Sequence, residues 1–170
     1  TSDHGEEFFE HGSLEHSTTQ YEETIRVPFL IRGPGIPKGQ RIQVPVSLVD
    51  VTPTILALAG AKTPKGMDGV DLSQLWEGGD RSVFDDRAIF SEASGERAGQ
   101  KLRRSIRDGK YKLHYEFVEG THQLYDLAVD PTETFDISET HQEISADLID
   151  RLTARYQSPS TVETSEFEVD

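Results

Sequence analysis

The sequence predicts an α/β chain, and three observations carry that reading. A short apolar run bounded by Pro and Gly, residues 27–33, reads as a buried strand. Two stretches, 47–60 and 140–156, carry helical patterns. Between the helices, residues 102–125 alternate with a period of two, the pattern of a half-buried antiparallel sheet.

The elements follow in order. Residues 1–24 are polar and hold His4, His11 and His16. Val27 to Gly33 is the first predicted strand, closed by Gly33-Pro34-Gly35, and a second extended segment is expected at 43–46. Ser47 and Asp50 have capping-box spacing at the head of the first helix, with Asp in place of Glu or Gln. Pro53 falls in its first turn and Gly60 at its C-terminal end. Ile55, Leu56 and Leu58 make that helix apolar around the turn, so it is expected to be well buried. A turn at 71–76 and a strand at 87–92 come next. Leu102–Ile106, Tyr111–Phe117 and His122–Tyr125 then read as two or three antiparallel strands, with Asp108-Gly109 as a hairpin signal. Ile144, Leu148, Ile149 and Leu152 line one face of the last helix. Residues 157–170 are rich in Ser, Thr and Glu and are expected to be disordered.

Composition excludes several functions. Asp and Glu number 31 against 17 Lys and Arg, a net charge of −14 over 170 residues. Such a surface suits neither nucleic acid nor anionic lipid. Its acidic excess reads as an adaptation to a high-salt habitat, with a calcium-rich acidic surface as the alternative. No apolar run approaches the ~20 residues of a membrane-spanning helix. There is no Cys, hence neither a disulfide nor a thiolate metal site. The chain opens at Thr1 without Met or signal peptide, and chemically loaded residues begin at once, so it reads as the C-terminal piece of a larger protein. Cellular location and oligomeric state are left open.

The chemistry concentrates in Ser2-Asp3-His4-Gly5. A carboxylate and an imidazole are both metal ligands, and a chain break at Gly5 lets adjacent residues turn to one ion. Alone, this is also what a polar turn with a satisfied His looks like. His16, twelve residues after His4, could return over the same site to hold an anionic group or protonate a leaving group. Taken singly, His11 and His16 are also ordinary loop histidines.

Together these stretches resemble the sulfatase family of the alkaline phosphatase superfamily. Thr1 to Glu6, Glu10-His11-Gly12, Tyr21-Glu22-Glu23 and Arg26 to Ile31 are similar to the family's second metal motif and its next strand. Val49-Asp50-Val51-Thr52-Pro53-Thr54 through Gly60 looks like its Val-Asp…Pro-Thr helix. Arg107 to Leu113, Leu124 to Leu127 and Asp130-Pro131-Thr132-Glu133 resemble its C-terminal subdomain.

The resemblance implies the C-terminal part of an alkaline-phosphatase-like parallel sheet sandwich, followed by a small antiparallel sheet with a C-terminal helix. Residues 1–86 would belong to the catalytic α/β domain, 87–156 to the subdomain and 157–170 to an acidic tail. It implies a sulfuric ester hydrolase acting on a sulfate-ester small molecule or sulfated glycan. The divalent cation would be Ca2+, with Mn2+ or Mg2+ as alternatives. Asp3 and His4 match two metal ligands, and relatives often have Asn where His4 stands. His16 falls where relatives carry a Lys or His that contacts the sulfate and the leaving oxygen. The family's nucleophile, a formylglycine hydrate, arises from a Cys or Ser segment that this chain lacks, and the upstream Asp pair is missing too. The 170 residues alone are therefore expected to be inactive. A phosphonate monoester or phosphodiester hydrolase of the same superfamily, and a non-catalytic anion-binding relative, remain alternatives.

Lys101, Arg103 and Arg104 follow a Gly-containing loop of the kind that reaches the active-site mouth in this family, so Lys101 and Arg103 join His16 as candidate substrate contacts. A solvated turn is the alternative. Asp50 reads as a helix N-terminal residue, His114 as one side of a cross-strand pair, and Trp76 as packing near Leu72.

Overall fold

The computed structural model describes residues 1–16, 19–79, 81–93 and 102–157. Its first element is a small antiparallel hairpin, β1 (Glu7–Phe8) and β2 (Leu14–Glu15), with Glu7 opposite Glu15 and Phe8 opposite Leu14. Phe9 and Glu15 take φ of 72° and 74°. That left-handed region is costly for residues with a Cβ, by roughly 1–2 kcal/mol. A single helical turn, α1 (Glu22–Ile25), follows with Glu22 and Glu23 at its N-terminal end. A 3-10 turn, Leu48–Asp50, leads into α2 (Val51–Leu58), with Asp50 Oδ2 accepting the Ser47 backbone N–H at 2.8 Å. Short helices α3 (Gln74–Glu77) and α4 (Ser82–Asp85) come next.

Strands β3 (Ile89–Ala93), β4 (Arg103–Asp108), β5 (Tyr111–Glu116) and β6 (Thr121–Asp126) form one antiparallel sheet in sequence order. Gly109, at φ 55°, supplies the positive φ in the tight β4–β5 connection. Ile106, Leu113 and Leu124 stand side by side across β4, β5 and β6. They bury completely against Leu148 and Leu152 of α5 (Gln142–Gln157). The last helix therefore lies on the sheet as its apolar stripe requires. A second cluster gathers Leu72, Leu75 and Phe84, with Trp76, Phe29 and Val46 against it. The packing expected for Trp76 and Leu72 is present.

The other face of the sheet is polar in sequence and still largely covered. Lys112 stands beside Arg107 and Tyr125, and His114 beside Ser105 and Gln123. Gln20, Tyr21 and Glu22 cover this layer. Gln20 Nε2 donates to the Arg103 carbonyl at 2.6 Å, and Tyr21 Oη donates to Gln123 Oε1 at 3.1 Å.

The chain is mixed α/β with an antiparallel sheet and a C-terminal helix, as expected. Two local expectations are corrected. Residues 27–33 form no strand. Backbone N–H and C=O groups need a neighbouring strand to make a ladder, and none lies beside this segment among the described residues. Helix α2 is not well buried, since Ile55 is 59% and Leu58 44% exposed, while Pro53 and Thr54 are its buried side. The expectation for 157–170 falls outside the described residues beyond Gln157.

Candidate functional site

Asp3 and His4 sit in a loop pinned to α1. Gly5 N–H donates to the Thr24 carbonyl at 2.8 Å. A Cβ at Gly5 would lie 2.1 Å from the Glu23 carbonyl oxygen, so only glycine allows this approach. His4 Nδ1 lies 2.8 Å from the Gly5 carbonyl, which can only accept, so Nδ1 carries a hydrogen and Nε2 is the ring nitrogen left to face an ion. That Nε2 is 3.6 Å from Asp3 Oδ2. The backbone N–H groups of Asp3 and His4, and then the His4 imidazole, hold the exposed Asp3 carboxyl below its usual pKa.

Asp3 Oδ2 and His4 Nε2, at 3.6 Å, are too far apart for a hydrogen bond. They fall within the span of two ligands on one cation, given Ca–O distances of roughly 2.3–2.6 Å. Asp3 and His4 thus fit part of a divalent-cation shell. Ca2+ takes about six to eight oxygens, so most of the shell must come from elsewhere.

His16 joins them. Its ring stacks on His4 with centroids 3.9 Å apart and planes 28° apart. Its Nδ1 lies 2.8 Å from Glu6 Oε1. The hairpin explains the pairing: with Glu7 opposite Glu15, the next positions along the register are Glu6 and His16. All three predicted residues, Asp3, His4 and His16, line one broad cleft that Ser105 and Arg107 of β4 also reach. Glu6 was not singled out from sequence. The hairpin turn around Gly12, at φ 83°, is the signal that could have found it.

His4, Glu6 and His16 form one trio of ligand-type atoms within 4.8 Å of one another, and Glu7, His11 and Glu23 form a second. The atoms of the second are already used. Glu7 is buried and accepts from Ser13 N at 2.9 Å, His11 N at 3.2 Å and Thr19 Oγ1 at 2.7 Å. His11 Nδ1 meets Glu23 at 2.5 Å, and its Nε2 meets the carbonyls of Thr132 and Glu133 at 3.0 and 3.2 Å. Both ring nitrogens face acceptors, so both carry hydrogens and the ring is an imidazolium without a lone pair for a metal. Burial opposes that charge, but the Glu23 hydrogen bond and its charge outweigh burial and raise the His11 pKa.

Of the remaining predicted contacts, the described one lies apart. Arg103 opens β4 and lines a separate cavity of about 320 Å³ with Gln20, Tyr21, His114 and His122. Arg104 pairs with Glu92 at 2.9 Å and stacks over Tyr156 at 3.6 Å. Lys101 lies outside the described residues. On the cleft wall the sheet arginine is Arg107, whose Nη1 is 3.7 Å from Glu22 Oε2. Asp50 is structural, as expected: it is fully buried and takes a bidentate Arg87 at 2.8 and 2.9 Å plus the Val70 N–H at 2.9 Å.

Sequence reasoning missed the network behind the site. Lys112 Nζ lies 3.0 Å from both Glu22 Oε1 and Glu133 Oε1. Glu133 also accepts the Glu22 backbone N–H at 2.7 Å and pairs with His114 Nε2 at 2.7 Å. Burial alone would raise the Glu133 pKa, yet the His114 hydrogen bond and the Lys112 charge hold it below the usual value. His114 is deeply buried and its pKa is pushed down by that burial. It has the expected cross-strand partner, its ring meeting Tyr125 of β6 edge-on at 5.6 Å, and its imidazole also tilts against Tyr21 at 4.8 Å. Tyr21 in turn stacks on His11 at 3.6 Å. This network fixes residues 21–23, and through Gly5 the Asp3–His4 loop, to the sheet.

The small antiparallel sheet with the C-terminal helix packed on it is the arrangement of a sulfatase-type fold. The chain belongs to the sulfatase family, and the region described as N-sulphoglucosamine sulphohydrolase, C-terminal, matches residues 10–158. Asp3 and His4 lie just before that region. Arylsulfatase K of Mus musculus is 33% identical over 160 residues, covering 89% of this chain and 28% of the relative. The chain thus spans under a third of that relative's length. The solved structure of a 2-O GAG sulfatase aligns with TM-score 0.76 at 25% identity, over 92% of this chain and 36% of that one. Another solved structure, in complex with its substrate D-glucosamine-2-N,6-O-disulfate, aligns with TM-score 0.69 at 25% identity, over 96% of this chain and 35% of that one.

Proposed function

We propose that the full-length protein hydrolyses sulfate esters of sulfated glycans, with Asp3 and His4 as two ligands of a divalent cation, Ca2+ in preference to Mn2+ or Mg2+. The observation that carries the reading is the stack of His16 on His4, 3.9 Å between centroids, which sets a second imidazole beside the ligand pair. Similarity to sulfatases, and to a solved structure in complex with its substrate D-glucosamine-2-N,6-O-disulfate, supports the substrate class.

A bound cation supplies charge neutralisation and polarisation of the sulfate oxygens. Asp3 and His4 present one oxygen and one nitrogen to it. His16, with Nδ1 on Glu6, has Nε2 left to meet the ester oxygen and give it a proton as the alcohol leaves. In this reading the nucleophile is a formylglycine hydrate supplied by a part of the enzyme beyond these residues, as the family resemblance implies. Residues 1–86 work as part of the catalytic domain and 87–156 as its antiparallel subdomain. Exposed Leu30, Ile55 and Leu58 fit a chain that packs against more protein in the working enzyme. The 170 residues alone are inactive.

The test is the full-length protein assayed on sulfated disaccharides and on aryl sulfates, with and without chelator, beside phosphonate monoesters and phosphodiesters. Cation-dependent sulfate release is expected. Preferential turnover of phosphonates or phosphodiesters would replace the sulfatase reading, and tight glycan binding without turnover of any ester would make the protein a non-catalytic relative.

A further inference from the structure

We propose that Glu6 is a positioning residue for His16, an inference that rests on the sulfatase reading. Glu6 Oε1 lies 2.8 Å from His16 Nδ1, while the nearer face of His16 is covered by the His4 ring. A carboxylate can only accept, so Nδ1 carries a hydrogen directed at Glu6, and Nε2 is the one nitrogen left for substrate. Two contacts of different kinds thus restrain the imidazole: the stack restrains its plane, and the carboxylate selects which nitrogen faces the cleft.

The restraint is needed because, among the described residues, His16 has little else to hold it. Its side chain is 42% exposed, and it follows Glu15, whose φ is 74°. Glu6 is 39% exposed, so the pair adds little to stability. Its value lies in orientation. In the leaving step the nucleophile oxygen bonds to sulfur and the bond from sulfur to the ester oxygen breaks. The electron pair stays on that oxygen, and the proton on His16 Nε2 passes to it. A ring rotated by half a turn would offer Nδ1 at the wrong place and waste the encounter. The Glu6 carboxylate also lies 3.8 Å from His4 Nδ1, which is committed to the Gly5 carbonyl, so His16 is its closer partner.

The experiment compares wild type, Glu6→Ala, Glu6→Gln, His16→Ala and Glu6→Ala/His16→Ala in the full-length protein. Substrates are aryl sulfates with good and poor leaving groups. Glu6→Ala is expected to lower kcat about tenfold on the poor leaving group and less on the activated one, with KM within twofold. Glu6→Gln, which keeps an acceptor oxygen, is expected to recover most of the loss. The double variant should be no slower than His16→Ala alone. A readout without turnover is 15N NMR of the histidine ring at a pH where it is neutral. The His16 signal, located by its loss in His16→Ala, should report the Nδ1–H tautomer in wild type and a mixture in Glu6→Ala. Additive losses in the double variant, or an unchanged tautomer in Glu6→Ala, would overturn the positioning role. An active wild type with an unaffected Glu6→Ala sinks only this inference, whereas a wild type inert on every sulfate ester sinks the reading beneath it.

Discussion

Lys112 Nζ sits 3.0 Å from Glu133 Oε1, and neither side chain is exposed to solvent. Glu22 and His114 complete the cluster, so a lysine in the middle of a strand is the hub that ties α1 and the 130–133 loop to the sheet. Removing one partner of a buried pair strands the other charge. Lys112→Met should therefore destabilise the protein by about 3–5 kcal/mol, read as a lower urea midpoint at unchanged slope. A loss under 1 kcal/mol would mean the cluster is open to water.

Protonation should act on the same bracket from the alkaline side. His11 has its pKa raised on folding because Glu23 and the carbonyls of Glu133 and Thr132 outweigh burial. A raised value gives stability that is fully present below the unfolded pKa, about 6.5, and is lost as pH rises through the folded one. Wild type should soften above neutral pH, and His11→Ala, though less stable throughout, should lose that slope. Thermal melts from pH 6 to 9 decide it.

On the acid side the Glu133 carboxyl should contribute. Its pKa lies below the usual value, so its contribution is present above the unfolded pKa and is lost as pH falls through the folded one. Glu133→Gln should flatten the acid limb of the melting profile. An acid limb identical to wild type would remove Glu133 from that role.

The Asp50–Arg87 pair tests structure against chemistry. Asp50 is fully buried and receives bonds from two backbone N–H groups as well as the guanidinium. Asp50→Ala should cost about 3–5 kcal/mol by leaving Arg87 and two amides unpaired. The folded fraction of that variant in the full-length enzyme should keep its KM, measured after correcting for active protein.

At the proposed metal pair, His4→Ala in the full-length enzyme should abolish cation-dependent sulfate release and weaken Ca2+ binding by calorimetry. Unchanged activity at saturating Ca2+ would take His4 out of the metal shell.

Legibility divides along physical lines. The β4–β5 hairpin was visible because Asp108-Gly109 and the alternating runs are local signals. The α5 stripe was visible for the same reason: Leu148 and Leu152 recur at helical spacing. Asp3, His4 and His16 were legible as ligand-type residues around Gly5, and motif resemblance tied them together, since nothing local says that residues twelve apart will stack. The strand at 27–33 failed because apolar character can be read locally while a hydrogen-bonding neighbour cannot.

What the sequence determined by itself was therefore the mixed α/β class, the hairpin, the last helix, the sulfatase resemblance and the residues that open it. Tertiary structure alone decided the rest. Lys112 and His114 alternate with Leu113 as solvent-facing residues would, and only the return of Gln20, Tyr21 and Glu22 across the sheet buries them. Glu6 likewise becomes the partner of His16 only when the hairpin closes. The physical reason is the same in both cases. Backbone preferences act over a few residues, whereas the partner of a charge is chosen by which distant segment folds over it.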